Sequence, residues 1–546
     1  MAENVYIPIE QGVYRFFRKK CEDFKDMNAI SFYNTNVKFS QMFDEIEKMA
    51  VVLKNFGIKK GDVIVVALPS IPEAAYLFYA ANKLGAVYCG MDCRNTEEEN
   101  RKIIDHVTPK ICFVADFHLP AFKNIDSPTI VYVNPANSVG GFIDTAGKFA
   151  DFFKGRLFLR LKKDNVYRFT AFLKKYGSDT FVDDEEVSGD DECAYFYTSG
   201  TTYGRKCVVL TNTNMNSAMY QHEMLTERAQ KGDRLLNVMP LFTCYGIIHG
   251  THFPLCIGQE VRQLPLFNDM KMKETLLKER PNAIITVPGH WDSFLKDDFE
   301  KCDLSFLRTV IVGGDKMFPE SVNKINSIFA QCGSPAYLMN GYGMTETCST
   351  GVASEKGMPP ECSGKICYLT KIKIIDCETM EEVPKGELGE ICIHGSSVCK
   401  GYLNDKEATD NLLKIHSDGL VWLHTGDIGY MDENNLLYFC ERKKRMFVRH
   451  DGTKVSPYAI EQHLSKCPIV DKCIVVAIKD EEHSYGMCAG AVIVLKKDAD
   501  PETAQTVIER FSAENIPNYM QPKKFKFVAE IPKTKAKKVD YFATEI

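Results

Sequence analysis

The sequence lacks the features that would place the chain in a membrane, outside the cell or on nucleic acid. No apolar run approaches the roughly 18 residues that a membrane helix needs, so we expect no stable membrane insertion. Residues 1–5 contain no basic region followed by an apolar one, which predicts no signal peptide. The net charge is −6, so no positive excess indicates nucleic acid as a partner. We therefore expect a cytoplasmic protein.

Paired-cysteine motifs are also missing, although cysteine is plentiful. Among the 20 cysteines no pair has CxxC spacing, and the closest two are Cys89 and Cys93. The others are scattered through apparent strands and helices, where cysteine packs as a small hydrophobic residue. A disulfide framework is not expected in so long a chain without a secretion signal, so the sequence predicts reduced thiols.

The chain is long enough for two or more domains, because 546 residues exceed what one core organises. Asp62–Leu68, Ala86–Gly90 and Ile111–Ala115 have the composition of buried strands. Between them, Pro72–Leu84 and Asn100–His106 have the periodicity of amphipathic helices. This alternation predicts parallel βαβ units and an α/β fold.

Residues 140–180 interrupt that alternation with lysine and arginine interleaved among phenylalanine and leucine. Two interpretations remain open. A basic amphipathic segment is able to rest on a membrane surface or on a partner. A solvated helix pair packed on the main domain is the commoner outcome for such a charge run.

A polar segment from Thr198 to Lys206 lies between two apolar runs that have the composition of short strands. Hydroxyls and backbone N–H groups surround phosphate oxygens, glycine lets the chain approach an anion, and lysine adds a point charge. No Ser or Thr follows Lys206, so this is not the P-loop of strand–loop–helix NTPases. We interpret the segment as a cradle for the β and γ phosphates of ATP. The residues of this cradle are Thr198, Ser199, Gly200, Thr201, Thr202 and Lys206. The alternative is a plain surface turn.

Two later segments offer partners for the rest of a nucleotide. Within Tyr337–Thr347, Tyr342 offers a flat face for adenine, Thr345 a hydroxyl for the α phosphate, and Glu346 a hard oxygen ligand for Mg²⁺. Asp427 carries a carboxylate that is able to accept two ribose hydroxyls at once. Together with the polar loop, these residues predict an ATP site.

Five segments resemble, in the same order, the signatures of the adenylate-forming superfamily of acyl-CoA synthetases, peptide-synthetase adenylation domains and luciferases. The superfamily patterns are TSGTTG-x-PKG, NxYGxTE, TGD, an interdomain hinge and PKTxxGK. They begin in this chain at Thr198, Asn340, Thr425, Glu441 and Pro532. The chain departs from the patterns at Tyr203, Arg205, Cys207 and Lys537. It most resembles an acyl-CoA ligase.

The resemblance implies an α/β fold with a large N-terminal domain, residues 1–441, and a small mobile α+β C-terminal domain, residues 442–546. The large domain is expected to hold mixed, mostly parallel sheets with helices and a β subdomain. Lys444 falls at the hinge position between the two domains. Lys538 takes the place of the catalytic lysine, although Lys537 stands where the superfamily has glycine.

The resemblance also implies roles for individual residues. Catalytic roles go to Lys538, Glu346, Thr345 and Lys206. The ATP site adds, to the loop residues above, Gly314, Asp315, Asn340, Gly341, Tyr342, Gly343, Asp427, Phe439 and Arg442. Mg²⁺ is assigned to Glu346 and Thr202. The acyl pocket is assigned to Phe242, Thr243, Tyr245, Gly246 and Gly313.

The implied reaction joins a carboxylic acid to coenzyme A with ATP and Mg²⁺, through an acyl-adenylate. No aspartate lies between Asn237 and Gly246, so the pocket lacks the carboxylate that would hold a substrate amine, and we expect a fatty, aryl or polycyclic acid. Two alternatives remain: an enzyme that loads an acyl carrier protein, and an inactive nucleotide-binding relative. A homodimer is left open.

His249 and His252 have the spacing of a metal pair or of two ordinary helical residues.

Overall fold

The computed structural model describes residues 8–135, 164–178, 182–198, 204–223, 229–265, 267–483, 486–533 and 539–541. Among these, no helix combines the length and the apolar character of a membrane span. Most of the 140–180 segment lies outside the described residues. Its remainder contains the strand Val166–Arg168 and the helix Phe169–Tyr176.

The first sheet has eight strands, and the sequence places most of them correctly. Its central strands run parallel with helices between them, as the alternation of strand and helix predicts. The two strands that flank the polar loop form an antiparallel hairpin, which confirms the hairpin prediction. In sheet order the strands are Gly401–Tyr402, Cys207–Thr211, Glu192–Tyr197, Val87–Gly90, Val63–Ala67, Ile111–Ala115, Thr129–Val133 and Val166–Arg168.

The second sheet has nine strands and is parallel except at its two ends. The carboxyl ends of its parallel strands lie together at one edge, which is where ligands bind in such sheets. In sheet order the strands are Lys365–Ile366, Gly351–Ala353, Leu338–Gly343, Thr309–Gly313, Ala283–Thr286, Arg234–Asn237, Glu260–Gln263, Asn28–Phe32 and Thr35–Lys38.

A third, antiparallel sheet forms the β subdomain. Its strands are Thr370–Ile375, Gly389–Gly395, Val421–Met431 and Leu413–Ile415, with Leu437–Arg442 paired to the long strand. Beyond it, the C-terminal unit has the ribbon Phe447–Val448 and Lys454–Val455 and the sheet Val470–Lys479, Met487–Leu495 and Lys524–Phe527. Its hydrophobic core consists of residues from 447 to 541.

The spacing of apolar residues explains where the helices form, and particular residues explain where they end. In Phe39–Phe56 the apolar residues recur every three or four positions and face the core. This helix ends at Gly57, whose φ of 103° few other residues adopt. Lys38 occupies the N-cap position, and its N–H donates to Gln41 Oε1 at 2.9 Å.

The α-helices, in chain order, are Val13–Lys20, Phe39–Phe56, Pro72–Lys83, Glu97–Val107, Phe169–Tyr176, Asn212–Glu223, Cys244–Ile247, Phe253–Cys256, Met272–Glu279, Pro319–Gln331, Lys406–Leu412, Pro457–Leu464 and Pro501–Asn515. Shorter helical turns, of the 3₁₀ type except for a π-helical turn at Ile248–His252, are Glu22–Phe24, Asp116–Phe122, Asp269–Lys271, Pro288–Trp291, Phe294–Lys296, Thr345–Thr347, Lys443–Arg445 and Asn518–Met520. With these elements the predicted α/β class is confirmed.

Candidate active site

A cavity of about 1380 Å³ lies where the two large sheets, the β subdomain and the C-terminal unit meet. Residues from the first four signature segments line it, together with Val539–Tyr541, which follow the fifth. Of the predicted residues, those that line it are Thr198, Lys206, Thr243, Tyr245, Gly313, Gly314, Asp315, Asn340, Gly341, Tyr342, Gly343, Thr345, Glu346, Asp427, Phe439, Arg442 and Lys444. Segments more than 300 residues apart in the chain thus converge on one space.

The polar loop closes the hairpin at one end of this cavity. Thr198 and Lys206 fix its base, since Thr198 N–H donates to Lys206 O at 2.9 Å and Lys206 N–H donates to Thr198 Oγ1 at 3.1 Å. Ser199, Gly200, Thr201 and Thr202 lie outside the described residues. Lys206 Nζ sits 4.6 Å from the centre of the Tyr402 ring.

Tyr402 joins the loop lysine to Glu346, and sequence reasoning missed it. Its hydroxyl donates to Glu346 Oε1 at 2.7 Å while its ring faces Lys206. Tyr402 reaches this position because Gly401–Tyr402 pairs with Val208 and Val209 of the hairpin. The sequence signal for Tyr402 is an aromatic residue directly after a glycine.

Glu346 is buried, with 5% of its surface exposed, and lines the cavity at the turn Thr345–Thr347. A buried carboxylate with a tyrosine hydroxyl as outer partner is suitable donor chemistry for Mg²⁺, which prefers oxygen ligands. The residues present therefore fit this ion.

Asp427 lies opposite Arg442 on neighbouring strands of the β subdomain. Its carboxylate is 1% exposed, accepts a hydrogen bond from Tyr342 Oη at 2.7 Å, and lies 2.9 Å from Arg442 Nη1. Burial raises the pKa of Asp427 to about 6, although Arg442 and Tyr342 oppose the rise. The rings of Tyr342 and Phe439 stack at 5.6 Å beside it, which gives the cavity a flat aromatic wall.

Three of the five residues predicted for the acyl pocket line the cavity. Thr243, Tyr245 and Gly313 line the cavity, whereas Phe242 and Gly246 do not. The Phe242 ring lies under the Arg94 guanidinium at 5.7 Å. Gly246 faces the backbone, where an added Cβ would lie 2.1 Å from Pro240 O. Glycine at 246 therefore allows a close packing of backbones and does not shape the pocket.

The pocket walls around Tyr245 are apolar and uncharged. Met239, Val287, Ile311 and Met339 form one apolar cluster with it, and the Tyr245 hydroxyl donates to Thr286 O at 3.2 Å. His249 also lines the cavity, and burial lowers its pKa to about 4, so the ring is neutral near pH 7.

The metal pair considered for His249 and His252 is not formed. The two rings contact different groups: His249 Nε2 lies 3.0 Å from Ser349 O, whereas His252 Nδ1 lies 3.2 Å from Tyr79 Oη.

The turn Lys443–Arg445 connects the β subdomain to the C-terminal unit. Residues on its two sides are held by different units. Lys443 Nζ pairs with Glu390 at 2.9 Å in the β subdomain, whereas Arg445 pairs with Glu461 at 2.6 Å and donates to Val475 O in the C-terminal unit. Lys444, between them, is exposed.

Lys538 lies outside the described residues, but the residue after it is fixed at the cavity. Val539 N–H donates to Asp315 Oδ2 at 2.9 Å, and Val539 bridges back to Lys533. Asp315, which is predicted to belong to the ATP site, lies two residues after the strand Thr309–Gly313. Its carboxylate anchors the C-terminal tail against the large domain, a contact that sequence reasoning did not anticipate.

Two family models match the chain. That of the AMP-binding enzyme matches residues 17–403, and that of the AMP-binding enzyme C-terminal domain matches residues 459–538. The chain is 26% identical to the long-chain-fatty-acid–CoA ligase of Bacillus subtilis over 533 residues, which cover 94% of this chain and 91% of that protein. It is 29% identical to the probable 4-coumarate–CoA ligase 1 of Dictyostelium discoideum, covering 90% and 86%.

Solved structures share the fold. The anthranilate CoA ligase AuaEII in complex with anthranoyl-AMP superposes with a TM-score of 0.79 at 20% identity, over 98% of this chain and 96% of that one. ATP-bound MatB from Rhodopseudomonas palustris gives a TM-score of 0.79 at 22% identity, over 96% and 97%.

Proposed function

The chain belongs to the AMP-binding enzyme family and is an AMP-forming acid–thiol ligase, and from that premise we propose that it joins an apolar carboxylic acid to coenzyme A through an acyl-adenylate. The observation that carries the proposal is the convergence of Lys206, Glu346 and Asp427 on one cavity. These three residues match the triphosphate, the metal and the ribose of ATP in charge and in hydrogen-bonding capacity.

In the first half-reaction a carboxylate oxygen of the acid attacks the α phosphorus of ATP. The new P–O bond gives the acyl-adenylate, and the bond to the bridging oxygen breaks to release pyrophosphate. Lys206 faces the leaving phosphates, and Lys538 supplies positive charge where negative charge develops. Glu346 would hold Mg²⁺, whose charge would neutralise the triphosphate. Because a carboxylate is a weak nucleophile, alignment of the two reactants is the main contribution of the site.

The acid is proposed to be uncharged beyond its carboxylate. The pocket residues Met239, Val287, Ile311 and Met339 are apolar, and the neutral His249 adds no charge. An ammonium group placed there would lose its water without gaining a carboxylate partner, which is costly. Fatty, aryl and polycyclic acids satisfy this condition.

The second half-reaction is proposed to follow a rotation of residues 442–546 about Lys444. Support comes from the turn itself, whose flanking residues Lys443 and Arg445 are anchored to different units. Rotation would carry the tail that Asp315 anchors away from the adenylate and admit the thiol of coenzyme A. The thiolate sulfur then attacks the acyl carbon, which gives the thioester and releases AMP.

The proposed function is tested by carboxylate-dependent ATP–pyrophosphate exchange over a panel of fatty, aryl and polycyclic acids. Exchange with at least one acid, together with AMP release that free coenzyme A accelerates, supports the ligase. Exchange that free coenzyme A does not accelerate indicates a carrier-loading enzyme. Absence of exchange with every acid contradicts catalysis and favours a binding protein.

Tyr402→Phe is expected to raise the Mg²⁺ concentration for half-maximal exchange by roughly tenfold, because outer partners of metal ligands typically contribute 10- to 100-fold in affinity. The ring that faces Lys206 is kept, so the KM for ATP at saturating Mg²⁺ should change little. Tyr438→Phe, in the surface pair with Tyr430, is the matched control and should leave the metal titration unchanged. An unaltered titration in Tyr402→Phe would contradict the positioning role.

The KM for ATP is expected to rise as the pH falls below about 6, the pKa of Asp427. The ionised carboxylate accepts the ribose hydroxyls, and its protonated form loses that capacity. Burial raises this pKa above the unfolded value of 3.8, so the charge costs folding stability above pH 6, and the cost disappears as the pH falls.

Asp427→Asn separates the role of this charge in binding from its role in stability. The KM for ATP should rise roughly 10- to 100-fold and lose its pH dependence around 6, because a hydrogen bond to a charged group contributes about 1.5–3 kcal/mol. The midpoint of thermal unfolding at pH 8 should stay level or increase. A KM whose pH profile matches that of the unsubstituted enzyme would assign the titration to another group.

A further inference from the structure

One corner of the β subdomain collects two histidines and a cysteine that the proposed reaction does not use. Cys392 and His424 lie directly opposite each other on neighbouring strands. His416 follows the strand Leu413–Ile415, which pairs with the other edge of the strand that contains His424. His416 Nε2 lies 2.9 Å from His424 Nε2. One ring nitrogen of each histidine and Cys392 Sγ all lie within 4.8 Å of one another.

We propose that Cys392, His416 and His424 form a zinc site. Thiolate sulfur and imidazole nitrogen are the ligands that Zn²⁺ prefers, at roughly 2.3 and 2.0–2.1 Å. Ligand atoms around a tetrahedral ion of that size lie about 3.3–3.8 Å apart. One observed separation, 2.9 Å, is slightly shorter than this range, and the others lie within 4.8 Å, so small side-chain rotations complete the geometry. His416 is half-exposed, which leaves the fourth position to water and gives the ion a path of entry.

The surroundings of His424 match those of a metal ligand. Its Nδ1 lies 3.6 Å from Glu390 Oε2, so the carboxylate favours a proton on Nδ1 and directs the Nε2 lone pair toward His416 and Cys392. Glu390 is itself fixed, since its Oε1 accepts from Gly426 N–H and its Oε2 pairs with Lys443. Among the described residues, Cys392 Sγ has no hydrogen-bond partner that would compete with a metal.

The positive charges of two nearby lysines, Lys373 and Lys414, oppose a cation. The Lys373 ammonium lies over the Trp422 ring at 4.1 Å and 3.3 Å from Asp418 Oδ2. Asp418 offsets the Lys373 charge in part, so this lysine weakens the site without abolishing it. Removal of the Lys373 charge should therefore tighten metal binding. A pair of hydrogen-bonded histidines with no metal function would not show this effect.

The test is a titration of metal-free, reduced, full-length protein with Co²⁺, whose thiolate complexes absorb in the near ultraviolet. We expect one equivalent to produce the thiolate-to-cobalt band, and Zn²⁺ to displace it. His416→Gln should weaken binding by at least roughly 100-fold, since even outer partners contribute 10- to 100-fold. Lys373→Met should bind more tightly than the unsubstituted protein. Zn²⁺ should raise the unfolding midpoint of the unsubstituted protein and not that of His416→Gln.

Two controls make each outcome decisive. His450 and His483 share Asp480 in a second cluster that has no sulfur, so the double variant His450→Gln/His483→Gln must keep the thiolate band. Circular dichroism shows whether His416→Gln is folded, and Cys392→Ser provides an independent loss of the sulfur ligand. The proposal is overturned if one equivalent of Co²⁺ gives no thiolate band, or if the band persists in His416→Gln. None of these readouts requires turnover, so they stand apart from the test of the ligase.

Discussion

We expect Lys538→Ala to lower the rate of carboxylate-dependent ATP–pyrophosphate exchange by roughly 100- to 1000-fold, the usual effect of removing one group that stabilises developing charge. The next residue, Val539, is held by Asp315 at the cavity, so the tail is docked against the large domain in this conformation. Thioester formation from supplied acyl-adenylate should stay near the unsubstituted rate, because the lysine acts on the first step.

Lys537→Ala is the matched control, since Lys537 stands where the superfamily pattern has glycine. Single-turnover assays of both half-reactions measure each variant. A small effect of Lys537→Ala on exchange supports Lys538 as the catalytic lysine. A larger loss in Lys537→Ala than in Lys538→Ala would move the role by one residue. Loss of the thioester step alone in Lys538→Ala would refute the assignment.

Lys444→Pro is expected to slow thioester formation by at least roughly 100-fold, because a thiol channel displaced by even about 1 Å costs that much. Lys443–Arg445 is a single 3₁₀ turn, whose φ values of about −50 to −70° overlap the φ of about −65° that proline imposes. The ring therefore suits the present conformation and opposes the backbone change that a rotation needs. Adenylate formation should be retained.

Lys444→Ala removes the same side chain and leaves the backbone free, so it should retain both half-reactions. The two variants are compared by exchange for the first step and by coenzyme A-dependent AMP release for the second. General distortion from the proline would lower both rates together. Equal thioester rates in Lys444→Pro and Lys444→Ala would remove the hinge from position 444.

Local pattern in the sequence predicted the elements well, because the periodicity of apolar residues directly reflects which face is buried. The hairpin around the polar loop, the parallel units of the first sheet and the α/β class follow from it. Contiguous motifs in the sequence also identified site residues that line one cavity. Examples are Tyr342, Glu346 and Asp427.

Contacts between distant segments were not predictable in this way. Tyr402 meets Lys206 and Glu346 only because a two-residue strand returns to the first sheet. Asp315 finds Val539 across the junction of two units. Within one motif, Phe242 and Gly246 do not line the cavity, because the motif does not show which way each residue faces. Position 246 requires glycine because an added Cβ would lie 2.1 Å from Pro240 O. Only the coordinates reveal this steric constraint.

The strand Gly401–Tyr402 has a consequence for synthesis of the chain on the ribosome. It covers the outer edge of the strand Cys207–Thr211, to which it is joined by antiparallel pairing. Roughly 190 residues separate the two strands, so at about 5–20 residues per second that edge emerges about 10–40 s before its cover. An open strand edge invites pairing with other chains. The nascent protein therefore passes through an interval in which this edge has no cover from its own chain, and pairing with another chain is the expected hazard.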